Sequence, residues 1–256
     1  DADLAVAQSA RPLVVAATWT RDPRPCLLIV SGEEAADRVA RALSAWLGQG
    51  VVLRYPERRD WPWSDRAADI AVIGARAHAM MRLSSGEDCV VVASARSMLR
   101  RVPPVGSGYF TPSTFAVGDE LEIGDAAELL VGMGYADVGA SKDVSVPGSF
   151  CLHGDSLDAF PAQASSPVRI EFFGDEIDRV RRMVPATGQT IGDCTDVSVL
   201  PCREIALTHE TIGRAQEALG GLAKNSSRAA ADLALIEQAS PAPSLDRYLP
   251  QLFGGS

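Results

Sequence analysis

Two predicted β-hairpins, each turned on a Gly-Asp pair, constrain the fold of this chain more than any other feature of its sequence. The pairs are Gly154-Asp155 and Gly174-Asp175, and both lie within residues 149–184 between segments of alternating apolar and polar residues. A two-residue turn between antiparallel strands requires a positive φ, which glycine adopts without strain. This stretch therefore predicts two antiparallel hairpins back to back.

The third strand of this stretch carries a candidate contact surface. Its inward side chains are apolar and are expected to face the core, namely Val168, Ile170 and Phe172. Arg169, Glu171 and Phe173 point to the opposite face. A large aromatic beside an arginine on a polar strand face is typical of a binding site. The alternative is that a helix or loop covers Phe173.

Residues 1–112 alternate apolar runs with helical patterns, which predicts a parallel sheet with crossover helices. Strands are expected at residues 26–30, 51–54 and 89–93, the first buried on both faces, and helices at residues 2–18 and 69–83. A further helix is expected between a capping box of Ser31 and Glu34 and a stop at Gly48.

A nucleotide site is not expected in this sheet. The phosphate-loop pattern Gly-x-x-x-x-Gly-Lys-Ser/Thr is absent from the sequence. The nearest segment, residues 29–34, has one glycine, no lysine and the carboxylates of Glu33 and Glu34, which would repel a triphosphate. The sequence thus predicts neither ATP binding nor a cofactor.

Residues 113–202 are predicted to form an α+β domain with an antiparallel sheet, joined to the first domain by a linker at residues 103–108. A strand at 114–117, a helix at 125–133 with an Asp-x-x-Glu cap, and a strand at 195–200 accompany the hairpins. The net charge is −10 here, against +2 for residues 1–112 and −1 for residues 203–256. Since duplex DNA binding depends mainly on phosphate neutralisation, a protein partner fits this segment better.

The remaining residues, 203–256, predict two helices, 208–219 and 226–239, separated by Gly220-Gly221. The chain begins with Asp1 and ends in Gly-Gly-Ser, as expected of an excised segment. It contains no apolar run of the roughly 18–20 residues that span a bilayer.

Catalytic and metal-binding patterns are not evident either. The three histidines are far apart and none stands beside an obvious nucleophile, and the five cysteines include no Cys-x-x-Cys pair, so neither an enzyme nor a zinc site is expected. Asp158 is expected to accept backbone N–H bonds at a strand end. The cysteine usage fits a cytosolic protein.

Residues 157–183, LDAFPAQASSPVRIEFFGDEIDRVRRM, resemble domain 2 of the transcription-repair coupling factor family (Mfd), which that family shares with the excision-repair protein UvrB. The signature consists of an Asp-x-Phe-Pro step at residues 158–161 and Arg-x-Glu-Phe-Phe-Gly-Asp-Glu-Ile at residues 169–177. The segment YPERRDWPWSD at residues 55–65 favours the coupling factors over UvrB.

The resemblance implies a UvrB-like module of three parts. Residues 1–112 would be domain 1A, similar to a degenerate P-loop ATPase domain; residues 113–202 would be the inserted, UvrA-binding domain 2; residues 203–256 would begin domain 1B. It also implies that the module recruits UvrA to RNA polymerase stalled at a lesion. Other domains of the same protein, absent from this chain, would contact polymerase and DNA and use ATP for translocation.

The UvrA contact implied by the resemblance falls on Arg169 and Phe173, with Glu171 beside them and His153 where the family usually has arginine. A neutral histidine offers one donor, whereas arginine offers five and a permanent charge. The resemblance therefore implies a UvrA contact at His153 that is weaker than the family norm. The alternative is that Asp155 occupies the histidine and that UvrA does not contact it.

Two other functions remain open from the sequence. One is a DNA-stimulated ATPase domain of a repair helicase. The other is a DNA-binding domain in which Trp61 and Trp63 stack on bases beside Arg58 and Arg59. Against the second stands a simpler interpretation, in which these tryptophans belong to a buried loop.

Overall fold

The computed structural model describes residues 5–48, 50–60, 69–104, 110–140, 144–204 and 209–238, together with Tyr248 and Leu252. The chain forms two compact units, residues 1–58 with 78–100 and residues 59–77 with 101–256. The helices of the described residues are α1 (Arg11–Arg21), α2 (Glu33–Leu47), α3 (Ile70–Ser84), α4 (Ile123–Gly132), α5 (His209–Ala223) and α6 (Ser227–Glu237). The strands are β1 (Cys26–Val30), β2 (Val52–Tyr55), β3 (Val90–Ser94), β4 (Ser113–Ala116), β5 (Ala136–Asp137), β6 (Ser149–His153), β7 (Ser156–Ala159), β8 (Val168–Phe173), β9 (Glu176–Met183), β10 (Thr190–Cys194) and β11 (Asp196–Val199).

The first unit contains the predicted parallel sheet, with strand order β1-β3-β2. Helices α1 and α2 pack on one face of it through Ala16, Ala40 and Leu43. The expectation that β1 is buried on both faces is wrong, because Leu27 and Ile29 are exposed. As an edge strand, β1 has a neighbour on one side only, and the fully buried strand is the central one, β3.

The helix ends differ from the predicted caps. Helix α2 has Gly32 as its N-cap and no side-chain cap, so the expected capping box of Ser31 and Glu34 is absent. Since the helix begins at Glu33, Ser31 lies one residue outside the position that can reach the first free N–H groups. The expected helix at residues 2–18 begins instead at Arg11, where Pro12 fits the first turn.

Helix α4 begins at Ile123 rather than at residue 125, and its N-cap side chain makes no capping bond. The expected Asp-x-x-Glu cap is therefore wrong. The chain leaves this helix at Gly134, which has a φ of 91° and whose N–H donates to the Val131 carbonyl. Such a left-handed residue ends the helix and turns the chain.

A six-stranded sheet dominates the second unit, with strand order β10-β9-β8-β7-β6-β5. Both hairpins form, and Gly154 and Gly174 have φ values of 61° and 64°. The sheet is antiparallel except that β5 pairs with β6 in parallel, and neither β5 nor β10 is predicted by the sequence pattern. Helix α4 and the β4–β11 ribbon cover one face and enclose the core around Phe115, Leu130 and Ile170.

Helices α5 and α6 pack together through Ala215, Leu219 and Ile236, and Leu252 completes this small core. The expected break at Gly220-Gly221 is wrong, because α5 continues to Ala223. Glycine costs only about 1 kcal/mol relative to alanine within a helix, and packing against α6 can offset this. No helix in the part of the chain that is described has the length and apolar character needed to cross a membrane.

Tyr135 connects three segments in the core of the second unit. Its buried hydroxyl donates to the Leu200 carbonyl at 3.0 Å and accepts the Ala162 N–H at 3.0 Å. Burial raises the pKa of Tyr135, so the hydroxyl stays protonated and able to donate.

The variant Tyr135→Phe is therefore expected to lower the free energy of unfolding by about 1–3 kcal/mol, because it leaves a buried carbonyl and a buried N–H without their partner. Urea denaturation followed by circular dichroism measures this change. An unchanged slope m is the control for an unaltered folded state. A midpoint equal to that of the wild type would contradict the assigned role.

Candidate functional site

The candidate site is the face of the six-stranded sheet opposite the core of the second unit. Strand register brings together on this polar face Cys151, His153, Ser156, Asp158, Arg169, Glu171, Phe173, Arg179 and Arg181. Of the residues predicted from the sequence, Arg169, Glu171 and Phe173 lie in β8, and His153 lies two strands away in β6. The four predicted residues therefore share one surface.

Phe173 is the most exposed apolar residue of this face. It lies at the end of β8, immediately before the second Gly-Asp turn, and 84% of its surface is accessible. Its neighbour Phe172 is buried in the core. Strand alternation thus separates the two phenylalanines, one to hold the sheet on α4 and one to face outward.

Arg169 forms a bidentate ion pair within the sheet. Its Nε and Nη2 donate to the two carboxylate oxygens of Asp158, each at 2.7 Å, across neighbouring positions of β8 and β7. The hydrogen bond to Asp158 raises the pKa of Arg169. The expectation that Asp158 accepts backbone N–H groups is therefore wrong, since a cross-strand arginine occupies its carboxylate.

His153 contacts two side chains of the same hairpin. Its Nε2 lies 3.0 Å from Cys151 Sγ and 3.6 Å from Asp158 Oδ2. Cys151 and Asp158 are directly opposite each other in β6 and β7, and both are buried, whereas His153 is partly exposed. The histidine therefore belongs to a compact group at the buried end of the polar face.

Glu171 pairs with Arg181 of β9, and this second ion pair lies beside the first. Arg169 and Arg181 occupy opposite positions in β8 and β9. Like charges placed directly opposite each other destabilise a sheet. Here each arginine has its own carboxylate, and the two pairs together are neutral.

Sequence reasoning missed Asp158, Arg181 and Cys151 as members of this face. A signal for Arg181 was present in β9, where Ile177 and Val180 are three residues apart and cannot both follow a period of two. One extra residue, a β-bulge, resolves the conflict. The structure has such a register shift between Glu171 and Phe172.

The residues considered for DNA binding are only partly described. Arg58 is buried, which removes it from any exposed surface, and Arg59 is exposed. Trp61 and Trp63 lie outside the described residues, as do residues 105–108 of the expected linker.

The segment nearest to a phosphate loop is occupied by acidic side chains. At the N-terminus of α2, Glu33 Oε2 pairs with Arg54 Nη2 at 3.0 Å, and Arg54 Nε also pairs with Asp37 Oδ1 at 2.9 Å. An anion would have to displace or approach these carboxylates, which is electrostatically unfavourable.

The residues of this face lie within a segment that matches a known family. The model of the UvrB interaction domain family matches residues 114–204, which contain all of these residues. The chain is 35% identical over 206 residues to a transcription-repair-coupling factor of Myxococcus xanthus, an alignment that covers 78% of this chain and 17% of that protein. It is 30% identical over 225 residues to a transcription-repair-coupling factor of Bacillus subtilis, covering 88% of this chain and 19% of that protein.

A more distant similarity extends to a second group of proteins. The UvrABC system protein B of Thermotoga petrophila is 27% identical over 229 residues, which is 84% of this chain and 34% of that protein. The chain thus spans less than a fifth of the two coupling factors and about a third of this protein. Residues 114–204 belong to the UvrB interaction domain family, and the chain is a homologue of one segment of the transcription-repair-coupling factors.

Proposed function

We propose that this chain is the protein-interaction module of a transcription-repair coupling factor and recruits UvrA through the polar face of its second unit. The match to the UvrB interaction domain supports this proposal, as does the similarity to coupling factors over most of the chain. The domain that the two groups of relatives share would serve the same partner in both.

The observation that carries the proposal is the exposed Phe173 at the edge of a charged surface. An aromatic side chain that contributes nothing to its own core is costly to expose, and at an interface it becomes an anchor that fills a pocket of the partner. Arg169 lies four residues earlier on the same face of β8, and its third guanidinium nitrogen, Nη1, makes no hydrogen bond to any described residue. This nitrogen can donate to a carboxylate of UvrA while Asp158 holds the rest of the side chain.

Charge also favours a protein partner. Residues 113–202 carry a net charge of −10 as a whole, and a domain of that sign repels the phosphates of a nucleic acid. Arg58, one of the two arginines considered for DNA binding, is buried and withdrawn from solvent.

The wider assignment belongs to the same proposal. Residues 1–112 would be a UvrB-like domain 1A that has lost its phosphate loop, residues 113–202 domain 2, and residues 203–256 the beginning of domain 1B. The intact protein would act in the bacterial cytoplasm, and parts outside this chain would bind RNA polymerase and DNA and hydrolyse ATP.

The variant Phe173→Ala tests the proposal. It is expected to weaken UvrA binding by about thirtyfold or more, as the loss of a central aromatic anchor does. Its free energy of unfolding should change by less than about 0.5 kcal/mol, because the side chain is already exposed. Isothermal titration of UvrA with each form gives the first value, and urea denaturation gives the second.

Leu99→Ala is the matched control, since Leu99 is a large apolar side chain with 83% of its surface accessible, in the first unit. It should leave UvrA binding unchanged. If both variants bind UvrA like the wild type, Phe173 is not the anchor. If the wild-type chain itself does not bind UvrA, the proposed function is wrong.

A further inference from the structure

Three potential metal ligands converge at the buried end of the polar face. One donor atom each from Cys151, His153 and Asp158 lies within 4.8 Å of the other two. The separation is 3.0 Å between Cys151 Sγ and His153 Nε2 and 3.6 Å between His153 Nε2 and Asp158 Oδ2. The hairpin produces this arrangement, because Cys151 and His153 are two residues apart on the same face of β6 and Asp158 lies opposite Cys151 in β7.

The contacts of the imidazole ring disfavour a catalytic role for these three side chains. A nucleophilic cysteine needs a histidine whose one nitrogen takes the thiol proton while a carboxylate orients the ring through the other. Here the thiol and the carboxylate both approach Nε2. A single nitrogen cannot serve both roles.

The convergence of these three donor atoms suits a metal cation, which would take the place of the proton between Cys151 Sγ and His153 Nε2. In a tetrahedral zinc site the metal lies about 2.3 Å from sulfur and about 2.0–2.2 Å from nitrogen or oxygen, which places ligand atoms about 3.3–3.6 Å apart. The separation between Nε2 and Oδ2 lies at the upper end of this range, and that between Sγ and Nε2 would lengthen by about 0.5 Å when the metal binds. Thiolate, imidazole and carboxylate are together the donor set of a borderline metal such as Zn²⁺, and they do not suit Mg²⁺ or Ca²⁺.

We propose that Cys151, His153 and Asp158 form a binding site for Zn²⁺ or a similar divalent transition metal. The thiolate and the carboxylate would neutralise its two charges, and the thiol would release its proton on binding. The side chain of His153 is 34% exposed, whereas that of Asp158 is 4% exposed, so the metal enters from the histidine side. The fourth coordination position faces that opening and accepts water or a ligand from solution.

Arg169 is the competing cation at this site. Its Nη2 holds the same Oδ2 of Asp158 that the metal needs, and its Nε holds Oδ1. Metal and guanidinium therefore share one carboxylate, with repulsion between them. We therefore expect that removal of Arg169 strengthens metal binding at this site. Metal bound by chance to other surface side chains would not respond to this change.

Titration of the reduced 256-residue chain with Co²⁺ tests the site, because a cobalt–thiolate bond produces a charge-transfer absorption band. The wild type should show this band, and Zn²⁺ should abolish it by displacement. Cys151→Ser and His153→Asn should each weaken binding by about a hundredfold or more. Arg169→Ala should tighten it by about tenfold, since it removes a neighbouring positive charge.

Cys194→Ser is the control, because Cys194 is a partly buried cysteine of β10 that packs against the core rather than joining the polar face. Burial raises the pKa of the Cys89 and Cys202 thiols, that of Cys202 to about 12, which opposes the loss of the thiol proton on binding of the probe. A band that persists in Cys151→Ser and His153→Asn, or no band in the wild type, would overturn the proposal. UvrA takes no part in this experiment, so its outcome is independent of the proposed function.

Discussion

Replacement of Arg76 by methionine is expected to lower the free energy of unfolding by about 3–5 kcal/mol, the largest single effect expected in this chain. Arg76 Nε pairs with Glu204 Oε1 at 3.1 Å, and the two side chains are only 2% and 1% exposed. The substitution removes the positive charge that Arg76 places against the buried Glu204 carboxylate. Urea denaturation followed by circular dichroism measures the loss.

The double variant Arg76→Met/Glu204→Leu is the control for this prediction. Two apolar side chains of similar size remove both charges together, and such replacements are often neutral or stabilising. Most of the lost stability should therefore return. A single variant within about 0.5 kcal/mol of the wild type would show that the pair does not hold α3 to residue 204.

Arg169→Ala is expected to weaken UvrA binding by about 1.5–3 kcal/mol, or roughly ten- to hundredfold, the range for hydrogen bonds to charged groups. Arg169→Lys should recover only part of this, because an ammonium cannot reproduce the planar fork that Asp158 holds in place. The alanine variant should also lose about 1–3 kcal/mol of stability, since it leaves the buried Asp158 carboxylate without its main partner.

The double variant Arg169→Ala/Asp158→Ala separates these two effects. It removes the buried carboxylate and should restore most of the stability, yet it still lacks the guanidinium that would meet UvrA. Binding should therefore remain weak. If the double variant binds UvrA like the wild type, Arg169 supports the sheet and does not contact the partner.

Local sequence patterns predicted the elements whose causes are local. The two hairpins follow from glycines that take a positive φ, and the strand–helix–strand order of the first unit follows from apolar runs and helical periodicity. The outward direction of Phe173 follows from alternation within one strand. Each of these features depends on residues only a few positions apart, so the local sequence is enough to predict it.

Predictions failed where distant residues compete with a local signal. Ser31 and Glu34 have the spacing of a capping box, but α2 begins one residue too late for it. Gly220-Gly221 has the composition of a break, but packing of α5 on α6 carries the helix through it. Caps and glycines contribute about 1 kcal/mol each, which tertiary packing readily exceeds.

The amino-acid sequence alone was enough to identify the hairpins, the outward direction of Phe173 and the family resemblance of residues 157–183, whereas the exposure of Phe173 is known only from the structure. The ion pairs of the polar face could be identified only from the folded sheet. Between β7 and β8 the eight-residue connection leaves the register open, so only the assembled sheet places Asp158 opposite Arg169. The bulge then shifts β9 by one residue, which turns Val180 inward and Arg181 toward Glu171. Because side chains alternate with a period of two, a shift of one residue exchanges the faces of a strand, and long-range packing decides between the two registers.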